Sequence, residues 1–183
     1  MIVSQGWINL YKPKYISSFK AINKIKKKYS IEKIGHAGTL DPLAEGILPI
    51  AINKTTKLIS HINLAEKTYI FNIFWGVQTL TDDSAGEVTF KSDNIPKIHD
   101  IKKKLKNFQG NIKQKPPKIS AIKINGQRAY DLTRQKKSFE ILPKQVFVNS
   151  LEILNHNNLE TTFKIECGKG FYVRSLARDL ARE

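Results

Sequence analysis

The chain has a single cysteine, Cys167, in 183 residues. It cannot form an intramolecular disulfide, which excludes a disulfide-stapled fold and favours a reducing compartment. Cys167 reads as a small buried apolar residue rather than a nucleophile. No apolar run approaches the length needed to cross a bilayer. The opening residues, Met1 to Gly6, lack the basic segment and apolar core of a secretory signal. The four histidines, His36, His61, His99 and His156, are scattered without metal-ligand spacing, which argues against a zinc site. Gly168-Lys169-Gly170 lacks the Gly-Lys-Ser/Thr ending of a phosphate-binding nucleotide loop. There is no repeat, low-complexity tract or obvious linker. Acidic residues are scarce too: 16 Asp and Glu stand against 31 Lys and Arg, a net charge of +15. Such an excess fits a polyanionic partner such as nucleic acid, through phosphate contacts and counterion release. It fits equally a lysine-rich solubilising surface, and charge by itself does not choose between them.

The hydrophobic pattern predicts a mixed set of elements. Residues 2–11 read as a strand. Ser17 is placed to cap a helix running to about Tyr29, with Phe19, Ile22, Ile25 and Tyr29 near helical spacing and five lysines around them. Residues 47–52 suit a buried strand and 55–62 a short helix. Residues 67–75 alternate, with Lys67, Tyr69, Phe71, Ile73 and Trp75 on one face. A basic helix is expected over 98–108, two extended pieces around Pro116-Pro117 over 109–123, and a helix over 127–134 after the Asn125-Gly126 turn. Residues 144–154 and 159–168 predict a hairpin around Asn157-Asn158. Its second arm puts Leu159, Thr161, Phe163, Ile165 and Cys167 on one side. Residues 171–183 suit a helix with Val173, Leu176, Ala177 and Leu180 as its apolar stripe. Strands and helices without regular alternation indicate an α+β fold with a largely antiparallel sheet.

The most informative stretch is Gly35-His36-Ala37-Gly38-Thr39-Leu40-Asp41-Pro42-Leu43-Ala44-Glu45-Gly46. Its glycines and proline exclude a helix, and it is too irregular for a strand. Pro42 pushes Asp41 toward an extended conformation. Gly35, Gly38 and Gly46 permit backbone angles that other residues avoid. The segment reads as a shaped loop presenting one carboxylate, anchored by the apolar run behind it. A tight surface turn with Asp41 as a cap is the plainer reading of the same residues.

This loop resembles the signature loop of the bacterial tRNA pseudouridine-55 synthases, the TruB family, with variation only at Ala37, Thr39 and Glu45. The resemblance extends along the chain. Gly6 to Pro13 followed by Ser17-Ser18 looks like the family's opening strand and turn. Lys67-Thr68-Tyr69, the loop from Gly76 to Gly86, the stretch from Gly110 to Tyr130 and Gly170-Phe171-Tyr172-Val173-Arg174-Ser175 are similar to later family motifs. Leu80 departs from the pattern, standing where the family usually carries a carboxylate. The chain ends at Glu183, before the Leu-Arg-Arg motif and small C-terminal RNA-binding domain that the resemblance implies. Residues 1–183 are therefore expected to be a catalytic domain incomplete at its C-terminal end, with an RNA-contacting insertion near 110–144. A fragment, an incomplete gene model and a truncated form all fit that expectation.

The resemblance implies a pseudouridine synthase-like α+β fold, with a central mixed, largely antiparallel sheet flanked by helices and loops. It also implies a base-flipping isomerase of the T-loop uridine of tRNA. The glycosidic carbon and C5 are unreachable in a stacked base, so the nucleotide must be extruded and its stacking replaced. An aromatic ring under the base contributes about 1–3 kcal/mol. Tyr69 is the family match for that ring, although by pattern alone it is an ordinary core aromatic. Tyr172 matches a second active-site tyrosine, serving as a wall or in proton movement at C5. Asp41 matches the catalytic carboxylate; attack at C6, attack at C1′ and abstraction of a sugar proton all remain open. Arg174 matches a guanidinium that keeps the carboxylate ionised. A phosphate contact shared with Arg178, one helical turn away, is the alternative. His36 matches a histidine that fills the space left by the flipped base, or is a hydrogen-bonded loop residue. Lys12, Lys123 and Arg128 are weaker candidates for phosphate contact. No cofactor and no metal are implied. The expected partner is the T arm of tRNA, without a membrane, and the expected state is a cytoplasmic monomer.

Two rival readings remain. One is a non-enzymatic RNA-binding or tRNA-folding protein of the same ancestry; the other is a basic ribosome-associated structural protein. Paired-acid glycoside hydrolysis is disfavoured because Glu45, the only carboxylate near Asp41 in sequence, sits at a variable position of the motif.

Overall fold

A computed structural model describes residues 5–62 and 66–183. The chain divides into two compact units, residues 1–65 and 66–183. The expected strand over residues 2–4 lies outside the described residues.

The N-terminal unit contains β1 (Gln5–Lys12), α1 (Ser18–Lys28), β2 (Ile34–His36), β3 (Gly46–Asn53), a 3-10 turn (Lys54–Leu58) and α2 (Ile59–Ile62). The three strands form one antiparallel sheet in the order β1-β3-β2. The apolar run of β3 makes it the central strand, and Leu48, Ile50 and Ile52 join Ile22 and Ile31 in the core. α1 begins as the sequence predicts. Ser17 is extended and its side chain accepts the Lys20 N–H at 3.2 Å. Lys26, Lys27 and Lys28 fill its last turn, where cations complement the helix dipole. One expectation needs correction: β2 takes Gly35 and His36 into the sheet, opposite Ala51 and Ile50. The presented loop is thus residues 37–45. Gly38 and Gly46 do adopt positive φ, 94° and 134°. Gly35 does not; a Cβ there would lie 2.7 Å from the end of the Ile59 side chain, which would have to shift.

The C-terminal unit contains β4 (Lys67–Phe74), β5 (Val77–Thr79), β6 (Val88–Lys91), α3 (Ile98–Leu105), a 3-10 turn (Lys106–Phe108) and β7 (Gly110–Gln114). It continues with β8 (Lys123–Ile124), β9 (Gln127–Arg128), α4 (Ala129–Arg134), β10 (Lys144–His156), β11 (Glu160–Cys167) and α5 (Val173–Arg182). A four-stranded sheet runs in the order β4-β11-β10-β7, and every pairing among the described residues is antiparallel. The alternation predicted for β11 holds from Thr161 onward, with Thr161, Phe163, Ile165 and Cys167 showing no exposure, but Leu159 falls in the turn before the strand and is exposed. Phe163 stacks on Phe71 of β4 with ring centroids 5.5 Å apart. Leu176 and Leu180 of α5 and Ile101 and Leu105 of α3 close the same core. Burial pushes the Cys167 thiol up to about 12, so it stays a neutral apolar group.

Several boundaries move; β10 extends to His156, and the helix expected over 55–62 is 3-10 as far as Leu58. The helix expected over 127–134 starts at Ala129, because Asn125 and Gly126 take positive φ of 48° and 83° and turn a two-residue hairpin that claims Gln127 and Arg128. The helix expected over 98–108 tightens to 3-10 geometry after Leu105. The last helix begins at Val173 rather than 171.

Candidate active site

In the N-terminal unit the loop that carries Asp41 is fastened through its backbone. Three consecutive carbonyls are bound. Leu40 O accepts from Ser18 Oγ at 2.9 Å, Asp41 O from the Ala44 N–H at 3.0 Å, and Pro42 O from the Tyr15 N–H at 2.7 Å. Leu40 N–H returns a bond to Ser18 Oγ at 3.0 Å. Tyr15 makes its bond from a left-handed backbone, φ 65°, a costly conformation for a tyrosine that the surroundings must enforce. His36 Nδ1 faces the Gly38 carbonyl within the loop.

Lys12 is the largest departure from expectation. It is wholly buried, and its ammonium donates to the carbonyls of Pro13 and Ile16 at 2.9 Å each and of Ala44 at 2.5 Å. All three ammonium protons are committed, so Lys12 is not placed to meet a phosphate. Burial pulls it below the usual lysine value, and the charges of Asp41 and Glu45 oppose that shift. It ties the end of β1 to the far end of the loop. Glu45 lies outside this cluster, accepting from Tyr11 Oη at 2.8 Å and facing Lys14 at 3.4 Å. The Tyr11 hydrogen bond, aided by Lys14, holds Glu45 below its ordinary value despite some desolvation.

In the C-terminal unit Tyr69 sits on β4 opposite Ile165, half-buried against the core. Its row is the predicted one, with Ile73 and Trp75 buried at the far end. Tyr172 precedes α5, and Gln114 grips its backbone from both sides. The Tyr172 N–H donates to Gln114 Oε1 at 2.8 Å, and Gln114 Nε2 donates to Tyr172 O at 3.1 Å. Arg174 donates to Thr81 O at 2.9 Å and Ile119 O at 3.1 Å, with Asp83 Oδ2 3.9 Å from its Nε. The other Asp83 oxygen accepts from Thr81 Oγ1 at 2.6 Å and the Ala85 N–H at 3.0 Å. Gly86 closes this loop so tightly that a Cβ would stand 2.7 Å from Thr81 N. Arg178 is not the free phosphate ligand offered as an alternative. Its side chain is 10% exposed and occupied by Asp82, Asp179 and Lys115 O. Leu80 is exposed and brings no charge; Asp82 and Asp83 supply the carboxylates that face the two arginines. Lys123 and Arg128 oppose each other on the β8–β9 hairpin, both exposed.

The structure therefore gathers His36, Asp41 and Lys12 in one unit, and Tyr69, Tyr172 and Arg174 in the other. Sequence reasoning missed Ser18, Gln114 and Asp82 as supports. Only the spacing of Arg174 and Arg178 signalled their shared role.

Residues 26–173 match the family described as TruB family pseudouridylate synthase (N terminal domain). The chain belongs to the TruB family. It is 46% identical over 178 residues to tRNA pseudouridine synthase B of Mesorhizobium japonicum, covering 97% of this chain and 55% of that protein. The namesake from Ehrlichia chaffeensis is 46% identical over 180 residues, covering 97% and 61%. The chain thus spans little more than half the length of these TruB relatives. Among solved structures, a crystal structure of a Cbf5-Nop10-Gar1 complex superposes with a TM-score of 0.71 at 28% identity, over 97% of this chain and 44% of that one. An H/ACA RNP bound to a substrate RNA containing 2′-deoxyuridine shares the fold at a TM-score of 0.68 and 24% identity, over 97% and 42%. The α+β pseudouridine synthase-like fold expected of a TruB chain is the fold observed. No helix among the described residues is long and apolar enough to cross a membrane.

Proposed function

We propose that this protein converts uridine to pseudouridine in tRNA, at position 55 of the T loop. Membership of the TruB family supports the reaction class, and one structural observation carries the assignment of its centre. The carbonyls of Leu40, Asp41 and Pro42 are all bound, so the backbone bearing the Asp41 carboxylate is fixed before substrate arrives. Pre-set geometry of this kind removes reorganisation from the reaction.

The isomerisation breaks the C1′–N1 bond, turns the uracil and forms C1′–C5. C5 loses its proton and N1 gains one, so no external group is consumed. Asp41 supplies the carboxylate, by attack at C6, attack at C1′ or abstraction of a sugar proton. Tyr69 stacks on the extruded base, His36 occupies the vacated space, and Tyr172 serves as second wall or in proton movement at C5. Arg174 supplies a guanidinium to the substrate-binding set. Residues 1–183 act as the catalytic domain, with the segment near 110–144, including Lys123 and Arg128, contacting RNA phosphates. In this reading the protein works in the cytoplasm as a monomer and without a cofactor.

The test is pseudouridine formation in unmodified tRNA by the chain and by Asp41→Asn. Product from the unaltered chain alone, with tRNA binding retained in the variant, is expected. Product from the variant removes Asp41 from the centre. No product from either, with preference for the T loop over unrelated hairpins, indicates a tRNA-binding relative. Binding without that preference indicates a general RNA-binding protein.

A further inference from the structure

Arg178 lies outside the proposed substrate-contacting set, yet its side chain is fully engaged beside it. Three different nitrogens of its guanidinium reach three different places. Nε donates to Asp179 Oδ1 at 2.8 Å on its own helix. Nη1 donates to Asp82 Oδ2 at 3.0 Å on the loop after β5. Nη2 donates to Lys115 O at 2.8 Å on the segment after β7. Arg174, one turn earlier on the same face of α5, holds the same two segments through Thr81 O and Ile119 O. The two arginines form two rungs between the same pair of loops, and their acceptors on the first loop are adjacent residues.

The first loop has bonds of its own, among them Thr79 Oγ1 to Asp83 O at 2.5 Å and Thr81 Oγ1 to Asp83 Oδ1 at 2.6 Å, and Arg178 adds the hold on the Asp82 side chain. Asp82 has φ 56°, a left-handed backbone that aspartate tolerates better than most residues. The Asp82 and Arg178 side chains are each 10% exposed. Burial raises the Asp82 carboxyl, and Arg178 offsets that only in part. Burial also works against the charge of Arg178, but Asp179 and Asp82 outweigh it. Ser175 Oγ donates to Lys115 O at 2.8 Å as well, so both lone pairs of that carbonyl are used from α5.

We propose that Arg178 is a positioning residue: by clamping Asp82 and Lys115 O to α5 it fixes the loop and strap that orient the Arg174 guanidinium. The inference rests on the role given to Arg174 above. A planar fork with donors on three edges is what the geometry uses. A lysine, one ammonium at the end of a flexible stem, carries the same charge but cannot span the three acceptors.

Arg178→Lys in the full chain is the test, with two readouts. One is single-turnover pseudouridine formation together with the tRNA dissociation constant. The other is the side-chain Nε–H resonance of Arg174 in the free protein. The expected result is a rate about tenfold lower, binding within about twofold, an unchanged fold by circular dichroism and a displaced Arg174 resonance. Asp82→Gly removes the carboxylate while tolerating the left-handed backbone. It should displace the same resonance, and the double variant should add less than the sum of the two. A displaced resonance in a protein that forms no pseudouridine even unaltered upholds the clamp and rejects the proposed function. An Arg174 resonance unmoved in folded Arg178→Lys overturns the inference, whatever the rate.

Discussion

Asp41 and Tyr69, one in each unit, are held by opposite means. In the N-terminal unit the decisive group is a buried charge: Lys12 and Ser18 bind backbone carbonyls and hang a loop with no regular structure around Asp41. In the C-terminal unit Tyr69 is set by an apolar core, with Phe163 and Ile165 fully buried beneath it, whereas Tyr172 and Arg174 at the start of α5 are held by directed bonds again. A loop that must show a carboxylate to substrate has little apolar surface to bury. Its order must come from directed bonds, each contributing little on its own and depending on geometry. A tyrosine on a strand inherits order from packing, which is stronger in sum and non-directional.

That contrast predicts a ranking. Phe163→Ala should destabilise the C-terminal unit most, by about 3–5 kcal/mol in urea denaturation, because the residue is fully buried and stacked on Phe71. A smaller loss would mean that the sheet tolerates a cavity there and that packing is not what sets Tyr69. Lys12→Met should cost about 2–3 kcal/mol by leaving carbonyls unsatisfied, read in the unfolding of the N-terminal unit. Activity should fall further than stability alone accounts for, since the Asp41 loop loses its tie to β1. Retained stability and activity would dissolve the contrast between the units. Ser18→Ala removes a two-way bridge to Leu40 and should cost about 1 kcal/mol, with hydrogen exchange at the Leu40 amide accelerating.

The smallest effect is at the rim. Tyr11 holds Glu45 below its ordinary value of 4.5. The folded state therefore binds this proton less readily than the unfolded chain. The associated stability is present above pH 4.5 and is lost as pH falls through the lower folded value. Tyr11→Phe should bring the Glu45 midpoint back up in an NMR titration, with no measurable change near neutral pH. An unmoved midpoint would show that Lys14, not Tyr11, depresses it.

Elements with a strong period were legible in the sequence. Ser17 as the cap of α1, the apolar run of β3 and the alternation of β11 each follow from local patterns that burial then enforces. The presented loop and its carboxylate were legible as well, since glycine and proline restrict the backbone locally. Lys12 was not. A lysine in sequence promises an exposed charge; the carbonyls of Pro13 and Ile16 are near it in the chain, but the third, of Ala44, lies 32 residues on and arrives only when the loop folds back onto β1. Gln114 and Asp82 escaped for the same reason: their partners, Tyr172 and Arg178, lie 58 and 96 residues away. The helix over 127–134 was overextended because an Asn-Gly turn commits the residues on both sides of it.

The fastening of the Asp41 loop has a consequence for how the protein can change. Lys12, Ser18 and Tyr15 all grip main-chain oxygens, which every amino acid possesses. The positions that furnish these oxygens can exchange side chains without surrendering the grip. Side chains can therefore drift at Leu40 and Ala44, whose carbonyls Ser18 and Lys12 bind, while the carboxylate keeps its address.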